Sequence, residues 1–472
     1  MTELFHFLPN QNGVLVYGLD LQDAASQSRA RRVYAVRSGE RRNELRHEGR
    51  ITYIGCDQLN TAISKISEKD LSKAFKDTLV ILDDAHSYLR QENLFTRVLH
   101  HTTVKLILLS PTALSGEPED ILALLNMLRR NDKLPSVTMA TLTDAAPYVH
   151  FVSKRYRAPH RAYPKLFDPF SGHIVVPNDG IKRTLENIDV YPVRCSPEQA
   201  AAYRNALHAN EDTQFKQAVL MSLTMAYPNG LYGKEGLDSV TDDLPGVFSQ
   251  LPTYSAKLNA VCAQAATATG VLLVHTKFVE GGAIPAALAL EANGFRRYGG
   301  QSFLTEGPTN GKYYVLLTGN QTLSPNNAVE VEAATIGNTY GTRVKVIITT
   351  TNEASFKNVR QVHVLEPWWH MERMEQLMRR CASPDSHSEL PPTERNLQIF
   401  MYVSILPNDE EGYDRYMYRY AETRSTQIGK ILTLLKRNTV VTPGDAPLRQ
   451  TLADGRRIDP PTYDLDAWMG AS

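Results

Sequence analysis

Residues 79–89 read LVILDDAHSYL. The apolar run is too short for a buried helix and suits a strand covered on both faces. It ends in Asp83 and Asp84, followed by Ala85 and His86. Acids at the end of a buried strand are how an α/β sheet offers carboxylate to a nucleoside triphosphate and its Mg²⁺. Similar runs lie around it: GVLVYGL, RVYAV and RITYIG before, VKLILLS after. A second series begins near residue 270 with GVLLVHT, YYVLLTG, VKVIITT and QVHVLEP. Between the series stands a Pro- and Tyr-rich stretch and then SPEQAAAYRNALHAN, where Ser196 ahead of Glu198 and Gln199 signals a helix start. The pattern predicts two α/β lobes with parallel sheets, of RecA-like type, with a ligand cleft between them.

The expected organisation is a first lobe over 1–165, a partly helical connector over 166–252, and a second lobe with a helical extension over 253–440. A loosely ordered tail, rich in Pro, Gly and Asp, takes up 441–472. At 472 residues the chain is too long for one core. Its 51 basic and 51 acidic side chains cancel, so any nucleic-acid surface must be local. Four scattered cysteines form no metal or disulfide pattern and suggest a reducing compartment. No signal peptide or membrane-spanning run is expected.

A phosphate loop needs glycines to bring backbone N–H groups to phosphate, a Lys to reach it, and a hydroxyl for Mg²⁺. Gly-Lys occurs in YGKEG, NGKYY and IGKIL, never followed by Ser or Thr. The only turn in the right place is GVLVYGLDLQDAASQ. Against the pattern Gly-Leu-Gly-x-Gly-Lys-Thr, Gly18 and Leu19 fit. Asp20 and Gln22 replace glycines, Asp23 replaces the Lys, and Ala24 replaces the hydroxyl. An anion in place of the cation reverses the sign of the electrostatic interaction with triphosphate.

Taken with ITYIGCDQLN, LLSPTALSGEPEDILALLNMLRR, GVLLVHTKFVEGGAIPAALALEANGFRRYG, NVRQVHVLEPWWHMERMEQLMRR and the region SHSELPPTERNLQIF…LLKRN, the boxes have a characteristic order. In that order the chain resembles the superfamily 2, Swi/Snf-type helicases of nucleocytoplasmic large DNA viruses, relatives of the poxvirus early transcription factor helicase subunit. The resemblance runs over about residues 10–440. It implies that Asp83, Asp84, His86, Gln376 and Arg380 are vestiges of an ATP site facing one cleft, and that residues from about 386 onward form a helical region. The departures fall on that site. Asp84 stands where a Glu would activate water; Ser110, Pro111, Thr112 and Ala113 replace a Ser-Gly-Thr-Pro coupling box. The fifth box is shortened to TTTNEASFKN, Arg379 replaces a Gly, and Ser383 stands where a second Arg would meet the γ-phosphate. An arginine finger alone is worth about 10³–10⁵ in rate.

The leading reading is therefore a pseudo-helicase without ATPase activity and with no cofactor. It would bind DNA or RNA, or scaffold viral transcription or virion-core proteins, in the virion core or the cytoplasmic virus factory, with no membrane partner. Two rivals stay open: an active helicase or translocase using ATP and Mg²⁺ through an unusual phosphate loop, and a purely structural virion protein. For nucleic acid the best candidates are Lys154, Arg155, Arg157 and Arg161, interleaved with Tyr156 and Tyr163, because cations and aromatic rings together hold phosphate and stack bases. Residues 29–50 carry eight Arg against three Glu, which a solvated face explains as well. The EPWWHM stretch reads as core and lobe interface, with His370 structural. The stripe Tyr413, Met417, Tyr420, Ile428, Ile431, Leu432, Leu435 reads as a helix packing on the second lobe.

Overall fold

The computed structural model describes residues 13–17, 31–37, 45–83, 85, 95–110, 119–151, 160–162, 190–210, 216–304, 310–351, 354–382, 386–437, 450–451 and 457–458. It divides into two compact units. One is formed by 1–155 together with 424–472, the other by 156–423.

The first unit is built on a seven-stranded sheet. Its strands are β1 (Gly13–Tyr17), β2 (Arg32–Arg37), β3 (Leu45–Glu48), β4 (Ile51–Gly55), β5 (Thr78–Leu82), β6 (Lys105–Ser110) and β7 (Val149–Phe151), in the order β3-β4-β2-β5-β6-β1-β7. All pairings are parallel except β3 with β4. The apolar runs become strands because helices cover both faces, and β5 is buried along its whole length. Asn131, itself buried at the end of the Asp120–Asn131 helix, fixes the start of β6. Its amide donates to Val104 O at 2.8 Å, and its carbonyl accepts from Val104 N at 3.0 Å. The first strand thus sits between β6 and β7, with the chain running out to one side before returning. This is the RecA-like order, with its topological switch at β1.

The second unit holds an eight-stranded sheet, β11-β12-β13-β10-β14-β15-β8, with β9 also paired to β15. The strands are β8 (His160–Ala162), β9 (Tyr191–Arg194), β10 (Val271–His275), β11 (Arg296–Arg297), β12 (Tyr313–Leu317), β13 (Val346–Thr349), β14 (Val359–Val364) and β15 (Asn396–Ile405). Every pairing among them is parallel. The helix Pro197–Ala209 begins where its sequence signals, with the Ser196 hydroxyl accepting from Gln199 N at 2.9 Å.

Three expectations change here. The region from residue 386 is not helical throughout: β15 is a ten-residue strand paired with β14, β8 and β9. Its NLQIFMYVSI is the same continuous apolar signal that marks the other buried strands. The described parts of 166–252 belong to the second unit rather than forming a separate connector. The Tyr413–Arg437 helix is divided at 423/424 between the two units. Its first half buries Met417, Tyr418 and Ala421, while Ile431 and Leu435 join the core of the first unit. The stripe changes from Tyr and Met to Ile and Leu, and the change marks two different surfaces. Of 441–472, only a short antiparallel pair, β16 (Gln450–Thr451) with β17 (Arg457–Ile458), is described.

Candidate nucleotide-site edge and a buried polar knot

In the first unit, register aligns the carboxyl ends of three neighbouring strands. Leu15 of β1 is level with Leu108 of β6, and Leu108 with Leu82 of β5; Tyr17 pairs with Ser110. Asp83 follows directly on β5, half-buried, with its backbone N–H donating to Val36 O at 3.0 Å. The ends of β1, β5 and β6 therefore lie on the same edge of the sheet, at its switch point, where open α/β sheets take ligands. Gly18, Leu19, Asp20, Asp23, Ala24, Asp84 and His86 themselves lie outside the described residues, as do Lys154, Arg155 and Arg157. Arg161 is in β8, paired with Leu397 of β15, and so belongs to the second unit. Gln376 and Arg380 stand one turn apart on the helix Met371–Cys381 of that unit, and Arg380 is exposed. Register thus levels the ends of β1, β5 and β6 with Asp83 at the tip of β5, while Gln376, Arg380 and Arg161 are carried by the other unit.

Sequence reasoning missed a polar knot at the equivalent edge of the second sheet. His275 at the end of β10 is level with Thr349 of β13 and Val364 of β14. Just past these ends, Glu366 is fully buried. Its oxygens accept from Thr224 Oγ1 at 2.6 Å, Thr276 Oγ1 at 3.1 Å and Lys277 N at 2.9 Å. Burial pushes its carboxyl above the usual range, against the pull of these donors and of Lys257. Lys257 is fully buried too. Its ammonium bonds Leu365 O and Asp414 Oδ2, each at 2.7 Å. Asp414 further accepts from Ser404 N at 3.0 Å, Ser404 Oγ at 2.8 Å and Arg415 N at 2.8 Å. One network thus ties the loops after β10 and β14 to the start of the Tyr413–Arg437 helix. Gly282 belongs to this packing: a Cβ there would come within 1.9 Å of Thr276 Oγ1. At the rim, the Lys277 ammonium lies 5.5 Å from the centre of the Trp368 ring, and burial lowers its pKa to about 8 against the attraction of Glu366. The available signal was an acid directly after a buried strand, the Glu of LEPWW, the same cue that singled out Asp83.

The four cysteines are buried, and burial pushes the Cys195 and Cys262 thiols up to about 12. Among the described residues, no group of His, Cys, Asp and Glu is placed to hold a metal ion. Among them too, no helix is long and apolar enough to cross a membrane.

Two α/β units on mainly parallel sheets, the first with its acid-tipped strand β5 one strand removed from its switch-point strand β1, define a RecA-like fold. The chain resembles superfamily 2 helicases of large DNA viruses. It is 24% identical over 367 residues to the provisionally named ATP-dependent RNA helicase R563 of Acanthamoeba polyphaga mimivirus, covering 72% of this chain and 62% of that one. It is also 24% identical over 417 residues to the provisionally named helicase 087L of Invertebrate iridescent virus 3, covering 79% of this chain and 40% of the relative. A termination factor NPH-I homolog of African swine fever virus is 23% identical over 404 residues, with 69% of this chain and 56% of that protein covered. The chain thus spans less than two thirds of each of these three. No protein-family model matches it. The Pyrococcus furiosus Hef helicase domain is similar at 11% identity and a TM-score of 0.38, covering 86% of this chain and 88% of that one. The Sulfolobus solfataricus SWI2/SNF2 ATPase core, solved with double-stranded DNA, is similar at 12% identity and a TM-score of 0.26, covering 84% and 78%. At such scores the superpositions carry no argument; strand order and register do.

Proposed function

We propose that this chain is a degenerate viral helicase that does not turn over ATP and serves as a nucleic-acid-binding or scaffolding component of viral transcription or virion-core machinery. One observation carries the reading. The ends of β1, β5 and β6 share one edge, and the residues that follow these strands in sequence lack the groups a triphosphate needs. Asp23 and Ala24 follow β1 where a Lys and a hydroxyl belong, Asp84 follows Asp83, and Pro111 and Ala113 follow β6. Carboxylates without the cation repel phosphate, so this donor set does not fit a nucleoside triphosphate and no step is routed through one. The names of the relatives, a termination factor and RNA helicases, support the nucleic-acid side of the proposal.

Purified protein is expected to hydrolyse no ATP above buffer, with or without DNA or RNA. Nucleic-acid-stimulated turnover that Asp83→Ala abolishes would establish the active-enzyme rival instead. For binding, the segment 154–161 is the proposed site. Arg155→Glu with Arg157→Glu should weaken binding to all sequences alike and flatten the salt dependence by about one unit per lost phosphate contact. Fluorescence anisotropy at several salt concentrations reads this directly. A parent protein that binds no nucleic acid even at low salt leaves a structural virion role.

A further inference from the structure

The second unit carries an aromatic ledge that the helicase-like framework does not use. Trp369, in the loop after β14, meets three tyrosines of the Tyr413–Arg437 helix edge-to-face, with ring centres 6.0 Å (Tyr413), 6.4 Å (Tyr416) and 5.3 Å (Tyr420) away. The tyrosines recur at i, i+3 and i+7, which puts them in a row on one helix face. Tyr413 and Tyr416 lie nearly parallel, at 22°. Such a row would normally be buried, yet Tyr416 is 40% exposed and the other three rings are only half-buried. Cations flank it: the Lys216 ammonium lies 6.0 Å from the Tyr413 ring and the Arg419 guanidinium 5.8 Å from that of Tyr416.

The charges on this stretch are sorted. Between 413 and 423 the acids are turned inward, Asp414 onto Lys257 and Glu422 into the core, while Arg415 is half-buried and Arg419 exposed. At the rim, the Glu411 carboxylate holds Arg419 at 2.6 Å. Exposed ring faces with cations beside them and acids withdrawn are complementary to a flexible polyanion whose bases are free to stack. A duplex keeps its bases stacked inside. A proline-rich peptide would use the rings but gain nothing from the sorted charge.

We propose that the Trp369–Tyr413–Tyr416–Tyr420 ledge is a stacking site for single-stranded nucleic acid, separate from the basic segment 154–161. The proposal rests on the nucleic-acid-binding reading above and adds to it a preference for unpaired strands. The test compares a labelled oligothymidylate, a duplex of equal length and a polyproline peptide, using the parent chain, Tyr416→Ala/Arg419→Ala, and Arg155→Glu/Arg157→Glu. The ledge variant should bind the single strand about tenfold or more weakly, leave duplex binding unchanged, and keep the parent's unfolding midpoint. Ultraviolet cross-links from the single strand should map to Trp369 or to 413–420, and should persist in the Arg155/Arg157 variant. Unchanged single-strand affinity in the ledge variant, cross-links elsewhere, or displacement of the strand from the ledge by polyproline would overturn the proposal. If the Arg155/Arg157 variant alone loses binding, the broader reading survives without the ledge. If the parent binds neither nucleic acid, both fall.

Discussion

Lys257→Met is the sharpest test of how the second unit is held together. The side chains of Lys257 and Asp414 are both fully buried, 2.7 Å apart. Removing the ammonium leaves the Asp414 carboxylate with its bonds from Ser404 and Arg415 but without its counter-charge. It also leaves Leu365 O without its Lys257 donor. Removing one partner of a buried pair costs about 3–5 kcal/mol, because the remaining charge stays desolvated. In a unit of this size that corresponds to a fall in Tm of roughly 6–20 °C, at about 2–4 °C per kcal/mol. Trp368 and Trp369 both lie in this unit and the third tryptophan, Trp468, in the other, so in a Trp468→Phe background tryptophan fluorescence during denaturant unfolding reports on it directly. The pairing argument further requires that Lys257→Met/Asp414→Leu lose much less than the sum of the two single losses, since the double variant buries no lone charge. A single-variant loss under about 1 kcal/mol, or strict additivity, would refute it.

Two further outcomes are expected. Gly282→Ala should destabilise the second unit by about 1–3 kcal/mol, since its Cβ meets Thr276 Oγ1 at 1.9 Å. Gly319→Ala, where a Cβ meets nothing within 4 Å, should be close to neutral in the same thermal melt. His363 is fully buried against Phe400 and bonds Tyr402 OH at 2.9 Å; burial lowers its pKa to about 3. A lowered folded pKa means that the unfolded chain takes up the proton first. Its contribution is therefore complete above the unfolded value near 6.5 and is lost as pH falls toward 3, at up to about 1.4 kcal/mol per pH unit. Denaturant titrations between pH 7 and 4 should show His363→Gln losing about one proton's worth of that slope, and an unchanged slope would exclude His363 as its source.

Local chemistry is legible in the chain wherever it repeats with a period. The strand series, the Ser196 cap and the acids after β5 could all be read because buried parallel strands need continuous apolar runs and helix starts need capping oxygens. So too could the missing Lys after β1, since a phosphate loop is a contiguous motif. What the linear pattern could not supply is which strand ends are level. Register sets Leu15 against Leu108 and Leu108 against Leu82, and only then do segments far apart in sequence share one edge. Nor does spacing show that one 25-residue helix serves two surfaces, its tyrosines around Trp369 and Leu435 in the core of the first unit. Lys257, Glu366 and Asp414 look like ordinary surface charges in their own neighbourhoods. They are fully buried because the loops after β10 and β14 and the start of the Tyr413–Arg437 helix converge there, and desolvation and pairing depend on distances through space that sequence separation does not encode.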